Sequence, residues 1–249
     1  MDNEPRPKRS TDLVLPLFAA ACGVGAVILL LSSGLGARLN IWHFRTGFTL
    51  ITASAYIGLG CSLLALVSGV LSLRQRRPLA VAVSLAALLL ALSAFAVPVY
   101  WRIQAQSYPR IHDISTDLHN PPRFIAISSL RKSGVRYGGA MVAAQQQKGY
   151  PDLKTVVLPL PKEQAFQRAL GVAKKMGWEV VAAVPEEGRI EAVDTTRWFG
   201  FKDDISIRIY PAGDRSLLDI RSVSRVGISD VGTNAKRIRA FLVRLTPAP

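Results

Sequence analysis

Hydrophobic and polar positions divide the chain near residue 101. From Leu13 to Tyr100 there is almost no ionisable residue outside two short breaks, and three apolar runs fill the stretch. They cover about 13–36, 48–73 and 78–101. Each exceeds the roughly 20 residues a helix needs to cross about 30 Å of hydrocarbon. Backbone polar groups in lipid must be satisfied within the segment, so the pattern predicts three transmembrane α-helices after a short tail at 1–12. The first run is longer than the apolar core of a cleavable signal, and an uncleaved signal anchor is expected. Ser54 and Gly58, then Ala65 and Gly69, recur at four-residue spacing and predict close helix–helix approach.

Beyond Trp101 the pattern changes to that of a polar domain over 102–249. Residues 102–160 are rich in breakers (Tyr108-Pro109, Asn120-Pro121-Pro122, Gly138-Gly139, Tyr150-Pro151) and read as chain wrapped over a core, with weak signals for a helix at 139–147 and a strand at 155–159. Over 162–176, Phe166, Ala169, Leu170, Ala173 and Met176 form a helical stripe that Gly177 ends. Four strands follow, at 178–184, 189–195, 204–210 and 216–223. The last two are joined by the turn Gly213-Asp214, which sets Ile209 opposite Leu218, Ile207 opposite Ile220, Arg208 opposite Asp219 and Ser206 opposite Arg221. A closing helix over 231–245 turns Val231, Ala235, Ile238, Leu242 and Leu245 inward, with Lys236, Arg237, Arg239 and Arg244 on its wet side. The expected architecture is three transmembrane helices followed by an α+β domain: helix, four-stranded antiparallel sheet, helix.

Charge adds an orientation. Arg6, Lys8, Arg9, Arg74, Arg76 and Arg77 flank one side of the spans, against Arg38, Arg45, Arg102 and Arg110 on the other. The positive-inside rule then puts the N-terminus in the cytoplasm and the C-terminal domain outside, in the periplasm if the membrane is a bacterial inner membrane. Trp42, Phe44, Tyr100 and Trp101 would form an aromatic belt on the outer side. The runs themselves carry no Asp, Glu, Lys, Arg or His, which argues against a transport path. Both cysteines, Cys22 and Cys61, lie in the apolar runs, so the domain uses no disulfide and no cysteine-bound metal.

Several separated segments resemble a known bacterial and plastid family. They are IHDISTDLHNPPRF (111–124), Tyr150-Pro151, GWE (177–179), FKDD (201–204) and IRSVSRVGISDVGTNAKRIRAFL (220–242). The resemblance is to domain-of-unknown-function family 1499 and covers about 110–245. The three helices look like an accessory of some members. It implies a domain and no established reaction.

The richest cluster for chemistry runs from the last strand into the last helix. Arg221, Arg225, Ser229, Asp230, Asn234 and Arg237, with Ser222 and Ser224, could form an anion site of guanidinium forks beside a helix start. Ser229 or Asp230 could equally cap the helix while an Arg–Asp pair ties the loop. Asp203 and Asp204 are neighbours on a strand, point to opposite faces and read as a strand entry rather than a metal pair. His112-Asp113 lacks the further ligands a metal centre needs, since the other histidines are His43 and His119. Asp113, Ser115, Thr116 and Asp117 read as a turn or cap, and Trp198, Phe199 and Phe201 as satellite core or an exposed aromatic patch. No cofactor motif, catalytic triad or zinc signature is present, and scattered basic residues do not support nucleic-acid binding. The expected function is binding, of membrane lipids with anionic headgroups or of a membrane or periplasmic protein partner; an enzyme with an unfamiliar site is the alternative. A C-terminal reporter that works only outside the cytoplasm is expected to be active, and activity of a cytoplasm-only reporter would reverse the orientation.

Overall fold

The computed structural model describes residues 13–131 and 135–246. The N-terminal tail with Arg6, Lys8 and Arg9 lies outside the described residues. The described residues form two compact units, one of those up to residue 104 with Trp198–Gly200, the other of those in 105–197 and from 201 onward.

Three helices build the first unit: α1 (Val14–Arg38), α2 (Phe44–Arg74) and α3 (Pro78–Gln106). All three are long and apolar enough to cross a membrane. Leu17, Phe18, Ile28, Leu31, Leu63 and Leu89 are each more than half exposed, an arrangement suited to lipid rather than water. Small residues set the contacts between helices. A Cβ on Gly58 would lie 2.8 Å from the Ala91 carbonyl oxygen, and one on Gly23 3.1 Å from that of Ala87. Ser68 and Ser84 share a buried hydrogen bond of 2.8 Å between α2 and α3. The four-residue pairs Ser54/Gly58 and Ala65/Gly69 therefore serve packing within the chain. Trp42 folds back onto α1, where its indole donates to the Ser33 carbonyl (3.0 Å), while Tyr100 and Trp101 stay exposed at the end of α3. Trp198 and Phe199 belong to this unit: the Trp198 indole donates to the Leu31 carbonyl (3.2 Å), and the Phe199 ring lies 5.1 Å from that of Phe48.

The second unit contains a six-stranded antiparallel sheet, where four strands were expected. Its strands are β1 (Asp113–Ser115), β2 (Val156–Leu158), β3 (Glu179–Val184), β4 (Arg189–Thr195), β5 (Lys202–Ala212) and β6 (Arg215–Ser224). The order is β1-β6-β5-β4-β3, and β2 also pairs with β6. Since β5 occupies the other edge of β6, β1 and β2 lie end to end along one edge, opposite 221–223 and 216–218. The β5–β6 register is the predicted one, with Ile209 opposite Leu218, Ile207 opposite Ile220, Arg208 opposite Asp219 and Ser206 opposite Arg221. Gly213 takes a φ of 67° in the two-residue turn, a conformation that glycine adopts freely. Residues 113–115, read from sequence as a turn, form β1; three residues are too few to show an alternation.

Helices α6 (Lys162–Lys175) and α7 (Thr233–Leu245) pack on the inner face of the sheet. Phe166, Ala169, Ile205, Ile207, Leu218, Ile220, Ile238 and Phe241 are fully buried between them. The last helix begins two residues later than expected, because Val231 and Gly232 both take left-handed φ values (51° and 76°). Arg237, expected on the wet side, is only 7% exposed. On the other face lie the short α4 (Ala126–Ser129), which packs on β3 and β4, and the chain leading to it. Helix α5 (Gly139–Gly149) closes the edge at β1: the fully buried Gln146 amide donates to the Ser115 carbonyl (2.6 Å) and accepts from its N–H (3.0 Å). One side chain thus takes the place of a neighbouring strand. Gln146→Ala leaves both backbone groups unpaired, and a loss of about 2–4 kcal/mol is expected from two desolvated groups. A lowered unfolding midpoint with faster amide exchange at Ser115 checks this; unchanged exchange there contradicts it.

Candidate functional site

Strand alternation decides where the charged residues of β4, β5 and β6 go. Asp194, Asp203, Ser222 and Ser224 point to the inner face, beneath the start of α7. Arg189, Glu191, Asp204, Ser206, Arg208, Asp219 and Arg221 point to the outer face. Asp203 and Asp204 are therefore neighbours in sequence that never share a ligand, and each is buried, at 2% and 0% exposure.

On the inner face Arg237 is the hub. Its guanidinium donates to Asp194 (2.7 Å), Asp203 (2.6 Å), the Asn234 side-chain oxygen (2.6 Å) and Ser222 Oγ (3.2 Å). The Asn234 oxygen also accepts from Ser222 Oγ (2.7 Å), and its NH2 donates to the His112 carbonyl and Ser224 Oγ, both at 3.0 Å. Asp230 holds the start of α7, accepting from the Gly232 and Asn234 N–H groups at 2.9 and 2.7 Å. The Val231 N–H reaches Ser229 Oγ at 3.3 Å. Those bonds hold Val231, a β-branched residue, in a left-handed conformation that costs about 1–3 kcal/mol. Burial pushes the Asp230 carboxyl above its ordinary value, against the pull of the two backbone N–H groups.

The outer face carries a second set. Arg221 makes a two-pronged pair with Asp113 (2.8 and 2.7 Å) and lies between the rings of Phe124 and Tyr137, 5.1 and 5.3 Å from their centres. Asp204 accepts from Arg225 (2.9 and 2.7 Å) and Arg131 (3.0 Å). Asp219 sits where β1 gives way to β2, and takes Thr116 (3.0 Å), Thr155 (2.6 Å) and Arg208 (2.7 Å). Glu191, fully buried, accepts from the backbone N–H groups of Ile125, Ala126 and Ile127 at 2.8–3.1 Å and pairs with Arg189. Asp117 caps the loop ahead of α4; burial opposes its ionisation, but the Asn120 and His119 N–H groups and Arg208 hold its carboxyl below the usual range.

The six residues singled out from sequence thus separate: Arg237, Asn234, Asp230 and Ser229 on the α7 side, Arg221 and Arg225 on the opposite face. Of the three arginines, Arg221 and Arg237 are 3% and 5% exposed in their side chains, and Arg225 keeps 26%. Sequence reasoning placed Asp219 opposite Arg208 but missed its bonds to Thr116 and Thr155. It also missed Asp113 as the partner of Arg221, Glu191 as the acceptor for 125–127 and Gln146 as the partner of Ser115, since each of these missed contacts acts across more than 30 residues. Among the described residues no group of three or more His, Cys, Asp and Glu could hold a metal ion. His119 instead lines a surface cleft of about 370 Å3 with Asp117, Gln147, Lys154 and Thr155. A second cleft, of about 270 Å3, is lined by Asn120, Arg123, Arg189 and Arg208.

The family model for proteins of unknown function, DUF1499, matches residues 113–245. The chain belongs to this family. Its matched region spans the sheet from the first residue of β1 to the last of α7, so both charge clusters lie within the DUF1499 region. Comparison with curated proteins returns no match.

Removing one partner of a buried pair leaves an uncompensated charge, which costs about 3–5 kcal/mol. Arg237→Ala, which strands Asp194 and Asp203, is expected to destabilise by that amount. Arg225→Ala is expected to cost clearly less, because Asp204 retains Arg131. Chemical unfolding of the two variants checks the order, and equal losses contradict it. The buried hydroxyls of Tyr137 and Tyr150 have no hydrogen-bond partner among the described residues, and burial pushes both up from 10 to about 12. A raised folded value favours the neutral form. This contribution is complete below pH 10 and is lost as pH rises through about 12. Burial also raises Tyr210, so tyrosinate absorbance should show a late-titrating set from which Tyr137→Phe and Tyr150→Phe each remove one group.

Proposed function

We propose that this DUF1499 chain is a non-catalytic, membrane-anchored binding protein whose C-terminal domain recognises anionic lipid headgroups. Its N-terminus is cytoplasmic and the domain is on the outer, periplasmic side of a bacterial inner membrane. The observation that carries the reading is where the domain spends its carboxylates. Asp113, Glu191, Asp203, Asp204 and Asp219 are at most 5% exposed and tied to arginines. These five are drawn inside, while most of the lysines remain on the surface.

The imbalance is greatest on the two helices. Arg168, Lys174 and Lys175 on α6 and Lys236 and Arg244 on α7 are exposed, and Glu163 is the only acidic residue in either helix. Each such cation near an anionic bilayer contributes about 1 kcal/mol. Arg221, Asp230, Asn234 and Arg237 hold the frame in this reading, and Arg225 is the member of that cluster that reaches solvent. A protein partner with a carboxylate-rich surface would meet the same cations, and pure lipid vesicles separate the two ligands.

Region 105–249 is expected to sediment with phosphatidylglycerol vesicles, weakly with phosphatidylcholine vesicles, and less as salt rises. The double change Lys174→Glu, Lys175→Glu removes about 2 kcal/mol and lowers affinity about 30-fold. Binding unaffected by that change, in a protein that still unfolds cooperatively, would refute the proposal.

A further inference from the structure

The helical unit contains a groove that helix packing does not fill. It lies between α2 and α3, has a volume of about 450 Å3, and is lined by Phe48, Ile51, Ala55, Tyr56, Phe95 and Pro98 among others, with Arg102 at one end. α2 begins and α3 ends on the side of the membrane that carries the C-terminal domain. Arg102 is 24 residues into a helix that starts at Pro78, about 36 Å along its axis. That length exceeds the hydrocarbon core of a bilayer, so the guanidinium is at headgroup depth while the rest of the groove descends into the hydrocarbon.

We infer that the groove seats one acyl chain of an anionic glycerophospholipid, with its phosphate on Arg102. Three features point to this occupant. The first is composition: apolar walls running down from a single cation match a lipid, which joins a chain to an anionic head. The second is Arg102 itself, exposed, with no carboxylate partner among the described residues. A guanidinium donates two parallel hydrogen bonds to a phosphate, a stronger and more selective contact than an ammonium makes. The third is Tyr56. It is 72% exposed, and among the described residues its hydroxyl has no hydrogen bond within the chain, whereas the neighbouring Thr52 hydroxyl donates to the Phe48 carbonyl (3.1 Å). Side chains lean toward a helix's N-terminus, so Tyr56 leans toward the Arg102 end of the groove. A phenol in hydrocarbon without a partner is costly, and the ester carbonyl of a lipid below its phosphate supplies an acceptor. Pro98 contributes by its missing N–H, which interrupts the hydrogen-bond ladder of α3 along the groove.

The site is distinct from the surface proposed above: it holds one lipid from within the bilayer, and it stands if the C-terminal domain binds no headgroups. The test is native mass spectrometry of the full-length protein released from nanodiscs of mixed phosphatidylglycerol and phosphatidylcholine. The expected result is one retained phosphatidylglycerol per chain that survives detergent washing. Arg102→Gln should reduce the preference for phosphatidylglycerol over phosphatidylcholine about tenfold, the equivalent of one charge-assisted hydrogen bond. Ala55→Trp, which fills the groove and leaves Arg102 in place, should abolish retention of either lipid. Tyr56→Phe should weaken retention without altering the preference. No retained lipid in the unaltered protein overturns the inference, as does the same lipid at the same occupancy in Arg102→Gln and Ala55→Trp. A dimer that Ala55→Trp dissociates also overturns it, since a second copy would then be the occupant.

Discussion

The domain depends on carboxylates that are buried together with their arginines. An ionised side chain taken out of water costs several kcal/mol unless geometry and further hydrogen bonds offset it. Here the offset is close to complete. Asp113 has both oxygens on Arg221, Asp219 takes three donors, and Glu191 gathers three backbone N–H groups and a guanidinium. Such pairs add little to stability over a hydrophobic core of the same volume. What they do is penalise every other arrangement. A slip of β6 by one residue would put Arg221 on the face of Ile238 and Phe241 and leave Asp113 alone, so the charges specify register where the apolar pattern only favours it.

This division of labour explains why the sheet carries two kinds of information on its two faces. The inner face holds the isoleucines and leucines that exclude water, with the Arg237 cluster at the end where α7 begins. The outer face is covered by irregular chain, which has few apolar residues to hold it. Glu191 at the start of α4, Arg131 on Asp204 and Arg208 on Asp117 supply the attachment. The segments that carry the family resemblance supply Asp113, Asp117, Asp203, Asp204, Arg221, Arg225, Asn234 and Arg237, so these motifs describe a charge framework before they describe a site.

Much of this was legible in the sequence, and the limit is physical. Period-two alternation and a glycine turn place β5 and β6 opposite one another residue by residue, because each strand is long and its two faces differ. The apolar runs show three membrane helices, and the paired small residues show how closely two of them approach. β1 was not readable: three residues stabilised by pairing with a strand more than 100 positions away leave no local trace. The same holds for Gln146, a side chain that imitates a strand. Arg237 was assigned to solvent because a basic residue on an amphipathic helix usually belongs there; two acids from separate strands reverse that, and neither is near it in sequence. Trp198 and Phe199 read as core or patch, and their partners are the helices of the first unit.

The end-to-end placement of β1 and β2 along β6 has a consequence for the order of events as the chain is made. β6 receives hydrogen bonds from β1, β2 and β5, yet it is nearly the last element synthesised. The strands β1 and β2 within 113–158 are produced far earlier and have no strand to pair with until 216–223 has emerged. For that interval the nascent domain carries open strand edges and unpartnered carboxylates beside a membrane. The edge strands β1 and β2 can therefore dock only after β6 is made, and a chain that stops short of residue 216 loses both of them rather than one.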